Sequence, residues 1–229
     1  MLEGKRAVAD ALEADVAVRE IFVADDIELD GDWGVPVHRI GGRVVRALSD
    51  AVTPQGIVAV ADIPSASLDD VATSDLTLIL DGIADPGNAG TLIRTAAAAG
   101  VGAVVFTTGS VDPFSPKCVR AAAGSLFATK IVIDVALENV VDVARSADAK
   151  VIATAMGGAP YHESDLTGKL AIVAGNEAWG VDKTHVALCD EVIGIPIVGR
   201  VESLNVAIAT GIVLFEALRQ RRLSSGTGR

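Results

Sequence analysis

The chain has 229 residues, half of them apolar and only 3% aromatic, with a formal net charge of -11. That length admits one large domain, or a small domain joined to a medium one, and the apolar content excludes wholesale disorder. With so few aromatics the core must be Ala, Val, Ile and Leu, the composition of parallel strands covered by helices on both faces.

The negative charge does not by itself exclude a nucleic-acid partner, because it is uneven. Residues 1–62 carry 12 acidic and 6 basic side chains, whereas residues 76–229 carry 15 and 13. A near-neutral second part can still present a local basic groove. Cys118 and Cys189 lack CxxC spacing and the three histidines are scattered, so neither a disulfide framework nor a metal site is expected. The first twenty residues are too charged for a signal peptide. The apolar run at 206–218 is too short to span a bilayer and carries Glu216. The expectation is a soluble, cytoplasmic protein without a membrane partner.

In chain order, the opening residues predict a helix running into a strand at 20–23, then a strand near 35–38, a helix at 43–48 and a strand within 56–61. Residues 1–62 thus read as a small α/β recognition module. The stretch 62–75 is polar, contains Pro and Ser and has no sustained apolar period, so 63–75 reads as a linker. From 76 to 229, strand-like and helix-like runs alternate. Strands are expected at 76–80, 101–107, 129–133, 151–154, 170–174 and 191–195, with helices at 91–99, 115–126, 138–147, 183–188 and 203–222. Strands separated by helices imply a parallel sheet, hence an α/β fold. The last helix is apolar nearly all round until Arg219, which places it inside a domain or between two subunits. The Ser/Gly tail 224–229 is expected to fray.

Three loops follow expected strand ends, where open parallel sheets bind ligands. In 81–100, Pro86 and Gly87 make a turn, Asn88 stands where an N-cap is expected, and Arg94 lies six residues on. A capped helix with a surface arginine fits these residues equally well. In 173–182, Gly175 and Gly180 flank Glu177, suited to close backbone approach or to a plain glycine turn. In 195–211, Glu202, Ser203, Leu204 and Asn205 open the apolar helix. Ser203 or Glu202 would serve as a cap, while Asn205 needs a polar partner. The spacing of Gly82, Gly87 and Gly90 does not make a dinucleotide fingerprint, which removes a nicotinamide oxidoreductase.

These three loops, in this order, resemble the three motifs of the SpoU (TrmH-type) branch of the SPOUT RNA methyltransferases. The stretch 195–220 is the most specific, Asn88 to Arg94 and Gly175 to Gly180 also match, and 115–127 looks familial. Residues 1–62 resemble, more loosely, the L30e-like domain that precedes many such enzymes, ending at Gln55 to Ala59. The resemblance implies an S-adenosylmethionine-dependent methyltransferase acting on a ribose 2′-hydroxyl of RNA. It further implies a C-terminal trefoil knot, an exception to the rule against threaded chains, and a homodimer through the last helix.

By the same resemblance Arg94 takes a catalytic position and reaches the partner subunit's site, Asn88 and Glu177 organise the loops, and Ser203 and Asn205 position the ribose. Backbone groups near Gly175, Ile195, Ser203 and Leu204 would hold the cofactor. A free guanidinium stays protonated, so Arg94 suits a phosphate clamp or stabilisation of a developing alkoxide rather than proton abstraction. Only Phe22 and Trp33 are aromatic in 1–62, so RNA contacts there must be largely polar. Arg39, Arg43 and Arg46 form the best patch, although a solvated helix face explains them as well. The extra first module favours rRNA over tRNA. A non-catalytic RNA-binding or ribosome-assembly factor of the same fold is the other class.

Overall fold

The computed structural model describes residues 1–29, 31–49 and 54–226. The first part runs β1 (Leu2–Glu3), α1 (Lys5–Glu13), β2 (Val18–Ala24), β3 (Val37–Ile40), α2 (Gly42–Leu48) and β4 (Ile57–Ala61). Its sheet has the order β1-β4-β2-β3 and is mixed: β4 is antiparallel to β1 and β2, while β2 and β3 are parallel. The strand expected from 35 begins at Val37. Pro36 has no N–H for a ladder, although its carbonyl accepts from Ile21 N at 2.9 Å. Val8 and Ala11 on α1 are buried in one cluster with Leu2, Ile21, Ile57 and Ala59.

The second part runs α3 (Leu68–Thr73), β5 (Leu76–Asp81), α4 (Pro86–Ala98), β6 (Ala103–Thr107), α5 (Pro116–Ala122), a 3-10 turn (Ser125–Phe127), β7 (Lys130–Val135) and α6 (Leu137–Ser146). It continues with β8 (Lys150–Pro160), β9 (Leu170–Gly175), α7 (Lys183–Val186), β10 (Glu191–Gly194) and α8 (Val206–Ser224). All six strands are parallel, in the order β10-β8-β9-β5-β6-β7. Every residue of β5, β6 and β9 is buried, as central parallel strands require. Side chains alternate between two faces. Leu78, Leu80, Ile172 and Ala174 pack with α4, α5 and α8, while Ile79, Val105 and Val173 pack with α3 and α6. Among the described residues no helix is long and apolar enough to cross a membrane.

Part of the stretch expected to be a linker is helical. Ser67 and Asp70 form a capping box, and α3 buries Val71 against the face made by Ile79 and Val105. A helix of so few residues, anchored by one buried valine, is too short to display a period in sequence. The helix expected over 115–126 is broken, because Ala123 (φ 48°) and Gly124 (φ 83°) both turn left-handed. The tail residues 227–229 lie outside the described residues.

That break seats the first part on the second. Leu2, Val8 and Ala11 share one buried cluster with Val119, Ala122 and Leu126, and Glu3 Oε2 lies 3.7 Å from Arg120 Nη1. Asp10 rests directly on Gly124, where a Cβ would fall 1.8 Å from its carboxylate oxygen. Only glycine meets both demands at this position.

Candidate active site

The ends of β5 and β9 are neighbours, with Asp81 paired in register to Gly175, and three loops leave this edge of the sheet. In the first loop the helix cap is Asp85, not Asn88 as the sequence suggested. Asp85 Oδ1 accepts from Asn88 N at 2.9 Å and Pro86 supplies the first helical position. The reason is local: Pro86 needs no N–H partner, so the helix starts there and leaves the Asn88 side chain for other work. The second oxygen of Asp85 lies 3.0 Å from Lys117 Nζ on α5. The Asn88 amide and then Lys117 hold the Asp85 carboxyl below its ordinary range.

Glu177, in the second loop, gathers the first. Its Oε2 accepts from Ala84 N, and its Oε1 from Asp85 N and from Asn88 Nδ2, each at 3.1 Å. Partial burial pushes this carboxyl up, but the Asn88 side chain and the backbone amides outweigh it and hold the pKa below its usual value. The third loop joins through Asn205. Its Nδ2 donates to Asn88 Oδ1 at 3.0 Å, while its Oδ1 caps α8 by accepting from Ala207 N and Ile208 N at 2.9 and 3.3 Å. The helix begins at Val206, with Asn205 rather than Ser203 or Glu202 as its cap.

The underside of the cluster is also tied down. Gly82 N donates to Thr107 Oγ1 and Ser110 Oγ, both at 3.1 Å, and Gly82 O accepts from Asn176 Nδ2 at 2.7 Å. The second loop is closed by paired backbone bonds between Asn176 and Gly180. A Cβ on Gly175 would lie 2.2 Å from Gly180 C and from Val181 N, so the loop folds back as closely as a bare backbone allows. Sequence reasoning passed over Asn176, Thr107, Ser110 and the pair Asp81–His185. The available signal was one charged residue, Asp81, ending an otherwise apolar strand.

Other expected residues fall into place unevenly. Arg94 is exposed on α4, and among the described residues nothing pairs with it. Ser203 and Leu204 are exposed, Ile195 is half-buried and Gly175 is buried. Between Pro196 and Leu204 no backbone group is hydrogen-bonded to another described residue, which leaves donors and acceptors beside the strand ends for a ligand. The arginine patch divides. All three are exposed, but Arg39 has one nitrogen engaged, its Nη1 donating to Ile27 O at 2.6 Å and to Ala24 O at 3.4 Å, whereas Arg43 and Arg46 stand on α2.

Known proteins are similar to this chain in sequence and in fold. The model of the SpoU rRNA Methylase family matches residues 75–215, and that of RNA 2′-O ribose methyltransferase substrate binding matches residues 1–66. A Bacillus subtilis protein, 23S rRNA (guanosine(2553)-2′-O)-methyltransferase RlmP, is 37% identical over 94% of this chain and 86% of its own length. The SpoU methyltransferase AviRb of Streptomyces viridochromogenes, solved with the cofactor AdoMet, superposes with a TM-score of 0.86 at 29% identity. It covers all of this chain and 91% of its own. An AdoMet-bound rRNA methyltransferase of Sinorhizobium meliloti gives 0.85 at 32% identity, over 95% of this chain and 85% of its own.

Proposed function

This chain belongs to the SpoU rRNA methylase family and is an S-adenosylmethionine-dependent RNA ribose 2′-O-methyltransferase, and we propose that it acts on a guanosine of 23S rRNA. The observation that carries the reading is the hydrogen-bond chain Glu177–Asn88–Asn205, which joins all three loops at the strand ends. The substrate-binding match over residues 1–66 and the name of the Bacillus relative favour rRNA over tRNA.

The residues present fit the cofactor. Gly175 leaves no side chain between its strand and the folded-back loop, and the unbonded backbone from Pro196 to Leu204 suits recognition of a purine and an amino-acid end. Gly175, Ile195, Ser203 and Leu204 would hold it. S-adenosylmethionine supplies an activated methyl group, so the protein's task is alignment and management of one proton. Ser203 and Asn205 position the ribose, and Asn88 and Glu177 keep Asn205 in place. Arg94 stabilises charge developing on the 2′-oxygen or clamps the adjacent phosphate, and a phosphate oxygen or water takes the proton.

Three further features complete the reading. A homodimer through α8 is supported by its exposed apolar residues Ile208 and Phe215, 58% and 49% exposed, with Leu204 at 39% just before the helix. In such a dimer Arg94 serves the partner subunit's site. A C-terminal trefoil knot follows from the family resemblance; in it the end of α8 would be fastened to the loop after β8 by Gln220, bonded to Leu166 N and Ser164 O, and by Arg221, bonded to Gly168 O. Residues 1–62 act as an L30e-like recognition module, with Arg43 and Arg46 toward RNA, and 76–229 as the catalytic part. A ribosomal substrate favours a cytoplasmic enzyme.

The test is transfer of radiolabelled methyl from S-adenosylmethionine to separated rRNA and tRNA pools from cells lacking this protein, followed by nucleoside analysis. Label in 2′-O-methylguanosine of 23S rRNA is expected. Label confined to tRNA overturns the substrate, and no label in any pool, ribosomal precursors included, overturns the activity.

A further inference from the structure

A part-buried pair at the end of β5 lies outside the Glu177–Asn88–Asn205 chain. Asp81, which ends β5, is 7% exposed, and its Oδ2 lies 2.7 Å from His185 Nδ1 on α7. Its other oxygen, Oδ1, lies 3.1 Å from Thr107 Oγ1. A carboxylate at this depth is costly unless it is paired. Thr107 also accepts from Gly82 N, so Asp81 is coupled to the first residue of the loop that offers Ala84 N, Asp85 N and Asn88 to Glu177.

We propose that His185 is a positioning residue, bracing the end of β5 through Asp81 and so holding Asn88 in register with Glu177 and Asn205. The first and second loops are then tied twice. Above, Glu177 binds Ala84, Asp85 and Asn88. Below, the chain that continues from the second loop into α7, started by its cap Asp182, returns His185 to Asp81. Two ties on opposite sides fix an orientation that one tie leaves free to pivot.

The groups around His185 favour its charged form. Asp81 comes from β5, Glu138 from α6 and Asp182 from the cap of α7; Lys183 stands two residues before His185 in the chain, and the Cys189 thiol donates to the His185 carbonyl. The Asp81 hydrogen bond, against partial desolvation, raises the imidazole above its ordinary value. The ionic part of the brace is therefore complete at acidic pH and is lost as pH rises through that raised value, leaving a neutral hydrogen bond.

The experiment compares His185→Ala with His185→Asn, whose amide nitrogen stands near the position of Nδ1. Amide hydrogen exchange at residues 82–88 and single-turnover methyl transfer are followed against pH, with thermal unfolding as the check on folding. In His185→Ala, exchange at Ala84, Asp85 and Asn88 should quicken and transfer should slow by about tenfold, the worth of one well-made hydrogen bond. His185→Asn should restore both to within about threefold and remove the loosening of residues 82–88 that the wild type should show as pH rises. Unchanged exchange and transfer in His185→Ala overturns the proposal, as does an asparagine variant no better than alanine. The activity readout rests on the methyltransferase reading, but exchange does not. If the wild type transfers no methyl, exchange still decides the brace.

Discussion

Asn205 and Asn88 stand 117 residues apart in the chain, yet the Nδ2 of Asn205 donates to the Oδ1 of Asn88 at 3.0 Å. The Asn88 amide is thereby used at both ends, because its own Nδ2 donates to Glu177. An ionised carboxylate at this position could accept from Asn205 but could not donate to Glu177.

That double use makes a specific prediction for Asn88→Asp, an isosteric change. It would face Glu177 with a second carboxylate at a contact of 3.1 Å, so attraction is replaced by like-charge repulsion. Methyl transfer should fall by about a hundredfold or more, since the loops part where the ribose is aligned. In a double-mutant cycle, Asn88→Ala and Asn205→Ala should be non-additive by about 1 kcal/mol in thermal unfolding. Additivity would mean that the contact does not hold the loops.

Arg94→Ala should abolish transfer while leaving cofactor binding and oligomeric state unchanged, because the side chain is exposed and unpaired among the described residues. Mixing Arg94→Ala with Asn205→Ala tests whether Arg94 acts across a dimer. Mixed dimers would rebuild one intact site, returning about a quarter of wild-type activity. No recovery on mixing, with mixed dimers verified by mass, would place Arg94 in its own subunit's site.

Gly175→Ala should eliminate cofactor binding measured by calorimetry. A methyl 2.2 Å from the backbone of Gly180 and Val181 forces the second loop away from the strand end. Wild-type affinity in this variant would show that the loop yields without consequence for the cofactor.

Ala123→Gly should stabilise the protein. Ala123 sits at φ 48°, where an L side chain is strained by about 1 kcal/mol and glycine is not. The midpoint of thermal unfolding should rise by about 2–4 °C. The neighbouring Gly124→Ala should lower it, because a Cβ there meets Asp10 at φ 83°. Equal midpoints for both variants and the wild type would mean that the break in α5 is relaxed in solution.

Much of the architecture is a matter of local sequence. The apolar runs of β5, β6 and β9 have nowhere to go but the middle of a parallel sheet, and the polar clusters after them mark the loops. Asn205 is visible as a polar residue that needs a partner, whereas Gly175 and Glu177 taken alone read equally as a plain glycine turn. Tertiary structure decided the partners. Asp85 displaced Asn88 as the cap, Arg39 engaged one nitrogen with backbone carbonyls, and α3 formed because Val71 found a core to enter. The contacts Asn88–Asn205 and Asp81–His185 arise because the strand order β10-β8-β9-β5 brings loops from remote stretches of chain to one edge. Strand order is set by the packing of the whole sheet, and no stretch of local residues encodes it.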